Sequence, residues 1–532
     1  MTVDESTVQL ASGSSTASTF TVNEGGVLGG TASIGGLIVN EGGIVGPGYS
    51  PGTLTVNGPV TFNAGAVYQV DVTVADGHDL ITATGAVTLS SDASVEVLAT
   101  SGRYPSTSTI TILSTTSTVT GTFGSVTSDF AFLAPELTYD AQNVYLTLVY
   151  NGFNFVDYAH TPNQANVAVS AQALGTGNAV YEAIFALPES AVAPALDQLS
   201  GEAYASAQTV IQQQSIYLRD AVGSRLRQSL TAPSAGALSY AAKAAGPATA
   251  QLAQGFTPTL WAEGFGGWGD ISGNGNAASV NTTVGGVFGG IDVAVLDQLR
   301  VGLVGGYSRT SFDIDGRSSQ GSMDNYDIGL YAGAQFDALA LRGGASYTWH
   351  DISVSRSVIF PGYYGAQDAD YMLGTTQLFG EVGYDLSVGA YAFEPFAGLA
   401  YVHVSGDSFT ESGTLASALA VDGDSQGTFY STLGVRAATT FTVAGRTLTT
   451  SATLGWQHAF GDTNSSADML FATGGANPFT IQGVPIAADV ALVGLGLGYQ
   501  LSDSAELQLN YAGQLADQTN QNTFSAQFSL KF

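Results

Sequence analysis

The most constraining feature of this sequence is a strict alternation of apolar and polar residues along its C-terminal half. The last eleven residues, NTFSAQFSLKF, show the pattern in short form. One set of alternate positions holds Phe524, Phe528, Leu530 and Phe532, and Ser525, Gln527, Ser529 and Lys531 lie between them. Successive side chains of a β-strand point to opposite faces, so the pattern predicts a strand with one apolar face. An edge strand of a soluble β-sandwich would share this pattern, so the rest of the chain has to decide.

The alternation recurs throughout residues 259–532. We predict twelve strands there, which start near Leu260, Asn281, Arg300, Asn325, Ala338, Tyr371, Ala390, Gly427, Arg446, Asp489, Ala505 and Asn522. In RTLTTSATLGWQHAF, DVALVGLGLGYQL and AELQLNYAG, large apolar residues oppose Thr, Ser, Gly, Gln and Asn. A polar or small inner face and an apolar outer face are typical of a transmembrane β-barrel. Aromatic residues near the strand ends, including Trp261, Trp268, Trp349 and Trp456, are then expected to form interfacial girdles.

The composition argues against nucleic-acid binding and against a transmembrane helix. The 532 residues include 13 Lys and Arg against 43 Asp and Glu, which gives a formal net charge of -30 and argues against nucleic acid as a partner. No run of eighteen apolar residues is present, although 45% of residues are hydrophobic, so a closed barrel is the remaining membrane option. The absence of cysteine is expected of a chain that crosses a narrow pore unfolded. The start, MTVDESTVQLASGSS, lacks the basic and apolar regions of a secretory signal. If the protein is exported, we expect that its original start is missing from this sequence or that the sequence is a fragment of a longer product.

The first 152 residues contain a repeat. The segments TVNEGGVLGG, IVNEGGIVGP and TVNGPVTFNA place Val22, Val39 and Val56 before an asparagine at steps of 17 residues. A short period of β-branched residues between glycine-rich turns predicts the coils of a parallel β-helix. A twisted open sandwich is the competing interpretation. Each coil of a β-helix needs a neighbour to bury its apolar side, so we expect the coils to stack.

Helix-forming residues then replace the strand pattern. We predict a helical junction at residues 153–200, an amphipathic helix at 201–230 and a flexible connection at 231–258. The helix carries an apolar stripe and C-terminal arginines, at Ile211, Leu218, Arg219, Val222, Arg225 and Leu226. A continuous helix from 206 to 226 would be roughly 30 Å long, about the hydrocarbon thickness of a bilayer. The glutamine-rich side of the helix is too polar to contact lipid. The helix would therefore lie either in a polar pore, with its arginines near inward acidic residues, or in a soluble bundle.

Several segments resemble one known family. VGPGYSPGTLTVNG resembles the β-strand repeat in passenger domains of bacterial autotransporters, the type V secretion proteins. LWAEGFGGWG, EPFAGLAYVHVSGDSFTESG and LGWQHAFGD resemble strands of the autotransporter β-domain. The residues that carry this signature are Pro395, Phe396, Gly398, Gly455, Trp456, His458, Phe460 and Gly461. The family usually has a basic residue where Gln457 stands, which is a departure from the pattern.

The resemblance implies a mainly all-β protein with a twelve-stranded outer-membrane barrel at 259–532, a linker helix in its lumen and a remnant of a β-helical passenger at 1–152. It implies a translocator that exports and anchors its own passenger at the surface of a Gram-negative bacterium, with an adhesin or surface-structural role. The implied partners are outer-membrane lipid, the barrel-insertion machinery and the passenger itself, with no cofactor. Phe532, with Phe524, Phe528 and Leu530, is implied to be the assembly signal. The alternatives are the anchor of an enzyme, such as an esterase, whose catalytic passenger is missing, and a plain porin.

The chemical motifs predict no catalytic or metal site. GDS at Gly406 to Ser408 is like the nucleophile block of lipase-like esterases, but it lies inside the barrel signature. DIDG at Asp313 to Gly316 lacks the other ligands of a calcium loop. GLGLG at 494–498 has the wrong spacing for a dinucleotide loop, and we interpret it as small lumen-facing residues that make room for a helix. His403 and His458 are expected on strands without acidic partners. We therefore predict that this chain is not an enzyme.

Overall fold

The computed structural model describes residues 1–48, 51–72, 77–99, 109–231, 258–296, 298–423, 425–461 and 463–532. These residues form two units. The first comprises 1–199 with the short segments 358–365 and 473–477, and the second comprises 200–357, 366–472 and 478–532. Each unit has its own buried core.

The first unit contains the predicted parallel β-helix, whose strands stack in three sheets. The first sheet contains Thr2–Val3, Thr19–Val22, Gly36–Val39, Val60–Phe62, Val87–Leu89 and Val119–Thr120. The second contains Thr7–Leu10, Val27–Gly30, Ile44–Pro47, Val67–Val72, Ser94–Ala99 and Ser125–Ser128. The third contains Ser33–Ile34, Thr53–Val56, Leu80–Ala83 and Thr109–Thr115, and it ends in the antiparallel strands Asn143–Tyr150 and Leu133–Tyr139. Alternate residues point inward, so the β-branched and aromatic side chains of successive coils fill one core.

A row of hydrogen-bonded asparagine side chains runs along this β-helix. The positions of these asparagines show that the predicted repeat length is not constant. Asn40 donates its side-chain amide to the Oδ1 of Asn23 at 2.6 Å, and Asn63 donates to Asn40 at 2.7 Å. Val22 and Val39 stack in register, as the 17-residue step predicts, but the next residue on this stack is Phe62. The prediction for Val56 was wrong, because the coil that contains it is longer and places it on the third sheet.

Three helices and one 3-10 turn complete the first unit. The turn is Phe155–Tyr158, and the helices are α1 (Pro162–Leu174), α2 (Ala179–Phe185) and α3 (Glu189–Leu199). Thr161 caps α1 with its side-chain oxygen, which accepts from the backbone N–H of Gln164, and proline opens the helix at its first position. The aromatic rings of Phe132, Phe155 and Phe185 pack together, so the helices share a core with the last strands of the β-helix.

The second unit is a closed antiparallel barrel of twelve strands, which confirms the predicted fold class. In chain order the strands are β1 (Pro258–Ile271), β2 (Val280–Leu296), β3 (Leu299–Ile314), β4 (Ser319–Phe336), β5 (Leu339–Phe360), β6 (Tyr363–Tyr384), β7 (Tyr391–Gly406), β8 (Ser425–Val443), β9 (Arg446–Phe460), β10 (Asp489–Gln500), β11 (Ala505–Ala516) and β12 (Thr519–Lys531). Each strand pairs with its sequence neighbour, and β12 pairs with β1 along thirteen residues from Thr519 to Lys531. This pairing removes the free edges that an open sheet would expose.

The two rims of the barrel differ in the length of their connections. At one rim, which we call the turn rim, the strands are joined by short connections such as 337–338, 444–445 and 501–504. The other rim, the loop rim, carries the long connections 407–424 and 461–488. These two loops form a small sheet from Phe409–Thr410, Leu419–Val421, Ser466–Phe471 and Phe479–Gln482. The remaining short elements are the strands Leu386–Val388 and Ser412–Gly413 and the 3-10 turn Leu415–Ser417.

Two consecutive helices, α4 (Glu202–Gln214) and α5 (Ile216–Thr231), lie in the lumen of the barrel. The predicted continuous helix from 206 to 226 is therefore divided at Ser215. The hydroxyl of Ser215 donates to the carbonyl oxygen of Gln212 at 2.7 Å, and Gln377 donates its amide to the Ser215 carbonyl oxygen at 3.2 Å. Serine bonds of this kind bend helices, because they compete with the regular backbone bonds. Among the described residues, no helix has the length and hydropathy needed to cross a bilayer. The predicted connection at 231–258 lies almost wholly outside the described residues.

Candidate functional site

The first lumenal helix, α4, is tied to the loop rim at its N-terminus. The Glu202 carboxylate accepts from Arg317 Nε at 3.0 Å and from the backbone N–H of Ala278 at 2.5 Å. Ala278 lies in the connection between β1 and β2, and Arg317 lies in the connection between β3 and β4. An acidic residue in the first turn is also favoured by the helix dipole. One carboxylate therefore holds the start of α4 to two loops at once.

A second contact ties α4 to the long loop at 407–424. The Tyr204 hydroxyl donates to Glu411 at 2.6 Å, and Glu411 is held by Arg356 on β5 at 2.6 Å. The Arg356 side chain makes two bonds to the two carboxylate oxygens, a geometry that adds directional specificity. The ring of Tyr204 packs edge-on against Phe409 and Tyr371. Neither this contact nor the Glu202 contact was identified from the sequence, because both partners come from distant loops.

One face of α5 packs against the wall formed by the first four strands. Leu218, Ala221, Val222 and Leu226 form a buried cluster with the wall residues Trp261, Phe288, Val304 and Tyr331. Three of the four residues of the predicted apolar stripe are in this cluster. The fourth, Ile211, is buried in α4 and lines a small cavity of about 40 Å³ beside the break at Ser215. The wall is therefore apolar where the helix lies against it.

Arg225 forms the main charged contact between α5 and the wall. Its guanidinium makes two hydrogen bonds to Asp292 on β2, at 2.7 and 3.0 Å. Asp292 also accepts from Arg300 and, at 3.0 Å, from the hydroxyl of Tyr331, which in turn accepts from Trp261 Nε1 at 2.7 Å. The Asp292 side chain is fully buried, so its charge depends on these donors. The expectation that helix arginines meet inward acidic residues holds at this position.

Arg219 contacts neutral partners in the described part of the barrel. Its NH1 donates to Gln377 Oε1 at 2.6 Å, and its guanidinium lies 5.5 Å from the ring centroid of Tyr430. The glutamines of the helix bond to hydroxyls of the wall: Gln213 donates to Thr519 at 2.9 Å, and Gln214 accepts from Thr310 at 2.6 Å. Inward threonines and glutamines of the strands therefore pair with the polar side of the helix.

A cavity of about 1250 Å³, with both polar and apolar lining, lies beside α5 among the described residues. Its wall includes the residues Thr449, Ser451, Thr453, Gly494, Gly496, Gly498, Gln508, Asn510 and Ser525. Four charged residues of the barrel also reach it: Arg342 and Arg436 pair with Glu381 and Glu394 at 2.6 to 2.9 Å. The GLGLG glycines line this space, so α5 and the other described residues leave part of the lumen open beside these glycines.

The outer face of the barrel is apolar. Large hydrophobic side chains are exposed on all twelve strands, among them Leu260, Val287, Leu303, Leu330, Trp349, Leu378, Leu399, Leu433, Leu454, Leu495, Leu509 and Phe528. Water-soluble proteins rarely expose continuous apolar surfaces of this extent. The alternation in the sequence therefore corresponds to a face suited to lipid and not to a protein core.

The terminal strand shows the predicted division between its faces. Phe524, Phe528 and Phe532 are exposed on the outside, and Leu530 is half-buried on that side. On the inside, Gln527 donates to Glu263 on β1 at 2.7 Å and to the carbonyl oxygen of Ala221 in α5 at 3.4 Å. The last strand therefore contacts the lumenal helix through one face and presents phenylalanines on the other.

The predicted signature residues lie on both faces of β7 and β9. Phe396 is buried inside, where the Arg436 guanidinium stacks on its ring at 3.6 Å, and Gly398 lines the cavity beside it. Pro395 is exposed. Gly455 lies half-buried on β9, and Gly461 follows that strand with a φ of 98°.

Two expectations about individual side chains were wrong. His458 has an acidic partner, because its Nδ1 lies 2.8 Å from Asp489 Oδ1 on β10, and Trp456 Nε1 donates to the same oxygen at 2.9 Å. This exposed pair joins the two strands beside Phe460, at the loop rim. Trp261 does not belong to an outer girdle, because it points into the lumen and packs against α5. In both cases, the residues around the side chain depend on how the strands pair, and the sequence does not show that pairing.

The remaining motifs, GDS and DIDG, make hydrogen bonds of an ordinary structural kind. The Ser408 hydroxyl of GDS accepts from the backbone N–H of Gly423 at 3.0 Å within the long loop. Asp315 of DIDG accepts from the Asn281 amide at 3.0 Å. Across the described ranges, no cluster of three His, Cys, Asp or Glu residues is arranged to hold a metal ion.

Comparisons with known proteins agree with this geometry. Residues 260–512 match the family described as "Autotransporter beta-domain". Two curated proteins of Serratia marcescens, both named "Extracellular serine protease", are 32% and 30% identical to this chain over 464 residues. The match covers 79% of this chain and 43% of each relative, so the chain spans less than half the length of these relatives.

Two solved structures are also similar to the chain. The translocator domain of autotransporter NalP from Neisseria meningitidis is 15% identical, with a TM-score of 0.44, and the match covers 61% of this chain and 99% of that one. The β-domain of the Bordetella autotransporter Brka is 20% identical, with a TM-score of 0.40, and the match covers 52% of this chain and 99% of that one.

Proposed function

Residues 260–512 of this chain are an autotransporter β-domain, and on that premise we propose that the chain exports and anchors its own N-terminal β-helix at the surface of a Gram-negative bacterium. One observation carries the proposal. The chain crosses the barrel from rim to rim: Glu202 is held at the loop rim, and Gln228 contacts Gln508 and Ser529 near the turn rim. The segment from Glu202 to Gln228 therefore spans the lumen with its N-terminal end at the loop rim.

The lengths of the connections support an orientation in the outer membrane. Outer-membrane barrels have short turns on the periplasmic side and longer loops outside. With the loop rim outside, the β-helix is extracellular, and the turn rim faces the periplasm. The apolar outer wall then contacts lipid, and aromatic residues such as Trp268 and Tyr326 near the loop rim lie at the membrane interface.

Folding of the passenger supplies a direction for export. The inward residues of the β-helix, such as Val22, Leu54 and Val95, are fully buried only when successive coils have stacked. Burial of apolar surface stabilises a chain that has already emerged and opposes its return. No cofactor is part of this mechanism, because threading and folding need only the chain and the pore.

The outward phenylalanines of β12 are proposed to be the signal that the barrel-insertion machinery recognises. Phe532 is 64% exposed at the end of the strand, so another protein can reach it. We expect Phe532→Ser to reduce the amount of folded barrel in the outer membrane, whereas Lys531→Ser, next to it, leaves this amount nearly unchanged. Equal assembly of both variants would contradict the role of Phe532.

The adhesin or surface-structural role remains our first proposal for the exported part, because the β-helix here is a stacked structural element. A second candidate is the anchor of an extracellular serine protease, and the names of the two Serratia relatives favour it over an esterase. Reading the gene upstream of Met1 would separate the candidates, since a protease requires a catalytic domain there. Bacteria that express the complete gene would then be tested for secreted proteolysis.

Surface display tests the translocator function directly. An epitope inserted after Gly13, in an exposed turn of the β-helix, should bind antibody on intact bacteria. A variant truncated after Asp489, which lacks most of the last three strands, should fail to display it. An epitope that becomes accessible only after the outer membrane is broken would rule out export by this chain.

A further inference from the structure

The two strands that close the barrel, β1 and β12, have few side chains that could fix how they pair. Four of the six residues from Gly264 to Gly269 on β1 are glycine. Glycine-rich strands specify their register weakly, and a slip of two residues keeps every side chain on its own face of the sheet. Nevertheless, β12 pairs with β1 in one continuous register, with Ala526 opposite Gly264. A contact other than the alternation of faces has to select this register.

The inward face of β12 is polar along the strand. Its inward residues include five that are at most 9% exposed: Thr519, Gln521, Thr523, Gln527 and Ser529. We call these five residues the inward row. Buried polar side chains need hydrogen-bond partners, so the inward row requires specific groups opposite it in the lumen.

The first lumenal helix, α4, bonds to the start of the inward row. Gln213 Nε2 donates to the Thr519 hydroxyl at 2.9 Å, and Gln521 Nε2 donates to Gln213 Oε1 at 3.4 Å. A slip of β12 by two residues would place either Asp517 or Gln521 where Thr519 now stands. One glutamine of the helix therefore distinguishes the observed register from its nearest alternatives.

The second lumenal helix, α5, bonds to the end of the inward row. Gln527 Nε2 donates to the carbonyl oxygen of Ala221 at 3.4 Å and to Glu263 on β1 at 2.7 Å. The Ser529 hydroxyl donates to Gln228 Oε1 at 3.0 Å. Gln527 is therefore held by the helix and by the partner strand at the same time.

The spacing of these bonds matches helices that run beside a tilted strand. Gln228 follows Gln213 by 15 residues, which is about 22 Å along a helix at 1.5 Å per residue. Ser529 follows Thr519 by 10 residues, which is about 33 Å along a strand, and a tilt of about 45° reduces this to about 23 Å along the barrel axis. Because the bonds lie at both ends, β12 cannot slide along the helices without losing them.

The position of α5 on the first strands does not depend on β12. Val222 and Leu226 lie in one buried cluster with Trp261 of β1, and Arg225 makes two hydrogen bonds to Asp292 on β2. The helices are therefore fixed to one side of the closing pair by an apolar face and a buried ion pair. Their bonds to the inward row fix them to the other side.

We propose that α4 and α5 set the register in which β12 closes on β1. The apolar side of α5 fixes the helices on the first strands, and the inward row then aligns with Gln213, Ala221 and Gln228. A slipped barrel would keep its apolar face outside and its polar face inside, so the helix bonds supply the selection that the glycines of β1 lack. This inference goes beyond export, because it concerns how the barrel closes and not what passes through it.

Disulfide formation between β1 and β12 in the full chain reports the register. The chain has no cysteine, so three double variants combine Ala526→Cys with Ala262→Cys, Gly264→Cys or Gly266→Cys. Position 264 opposes position 526 in the structure, and positions 262 and 266 would oppose it after a slip of two residues in either direction. A disulfide requires the close approach of directly opposed residues. After oxidation, folded barrels with unmodified helices should therefore be crosslinked from position 264 and hardly at all from 262 or 266.

Replacement of the two helix glutamines tests the role of the helices. Gln213→Ala with Gln228→Ala removes the side-chain bonds to both ends of the inward row and keeps a good helix former at each position. We expect crosslinks from position 262 or 266 to become several times more frequent in this variant. If its folded barrels were crosslinked only from position 264, the strands alone would set the register, and the proposal would be wrong.

A matched control replaces two glutamines that bond to other strands. Gln212 donates to a backbone carbonyl oxygen of β8 at 3.4 Å, and Gln214 accepts from Thr310 on β3 at 2.6 Å. Gln212→Ala with Gln214→Ala should be crosslinked only from position 264, like the chain with unmodified helices. Slipped crosslinks at equal frequency in the control would show that any loosening of the helices disturbs the closing pair, and they would overturn the assignment to the inward row.

Discussion

At the scale of single residues, the buried charges of the barrel form the contacts whose removal costs the most. We expect Arg225→Met to lower the free energy of unfolding of the barrel by about 2–3 kcal/mol. Without Arg225, Asp292 would lose the donor that makes two hydrogen bonds to it and would keep only Arg300 and Tyr331. Urea titration in detergent micelles measures this loss. Arg309→Met is the control, since the Arg309 side chain is more than half exposed and its partner Asp324 is partly exposed, and exposed pairs contribute about 0–1 kcal/mol. Equal losses in both variants would show that burial does not set the strength of the pair.

Asp79 makes the β-helix sensitive to pH. Its carboxylate accepts from the backbone N–H groups of Gly52 and Asp71 at 2.8 and 3.0 Å, but burial outweighs these bonds and raises the pKa of Asp79 from 3.8 to about 7. Between about pH 4 and pH 7 the folded state then holds a proton that the unfolded state has lost. The β-helix should therefore lose stability as the pH rises through this window.

Thermal unfolding between pH 4 and pH 8 measures this dependence. We expect Asp79→Asn to flatten the fall in melting temperature, because the amide does not titrate. Asp92→Asn, at an exposed turn of the same β-helix, should keep the slope of the unmodified chain. A slope that persists in Asp79→Asn would mean that other groups cause it.

At the scale of elements, inward glycines let aromatic side chains form the surface on which α5 packs. A Cβ atom on Gly306 of β3 would lie 2.3 Å from the ring of Phe288, which contacts the helix cluster. We expect Gly306→Val to destabilise the barrel by about 1–3 kcal/mol through overpacking and to loosen α5. Gly264→Val on β1 is the control, because no atom lies within 4 Å of its added Cβ. Urea titration and protease resistance of α5 would measure both effects.

The sequence predicts the strands well because each barrel residue faces either lipid or the lumen. Leu495 and Gly496 differ in polarity and size for this local reason, so alternation alone identifies β10 and its neighbours. The same rule fails for Trp261, because the part of the lumen beside α5 is apolar too. It also gives no sign of the break at Ser215, since the bond from Gln377 comes from a strand 162 residues away.

The candidate site was predictable only in part, for a related reason. The apolar stripe and arginines of α5 follow a helical period that is visible in the sequence. Asp292, which binds Arg225, and the loop residue Val484, which bonds to Ser206, lie in distant parts of the chain, and only the closed barrel brings them to the helices. A short apolar stretch such as GVPIA looks like any loop or strand end until the fold places it.

At the scale of the whole molecule, the two units have separate cores and should unfold separately. We expect two transitions when the full chain is heated in detergent, one for the β-helix and one at higher temperature for the barrel. The barrel should unfold later because its first and last strands are hydrogen-bonded to each other. Far-ultraviolet circular dichroism measures both. Asp79→Asn should alter only the first transition and Arg225→Met only the second. One shared transition that both variants shift would show that the units unfold as one.

Under the proposed function, each barrel stays in the membrane after a single round of secretion. The two lumenal helices stay with it, held to the wall by the bonds of Arg225 to Asp292 and of Arg317 to Glu202. Each spent copy therefore carries its own stopper, and copies can accumulate with little loss of the permeability barrier. The number of passengers that a bacterium can display would then be set by the available surface.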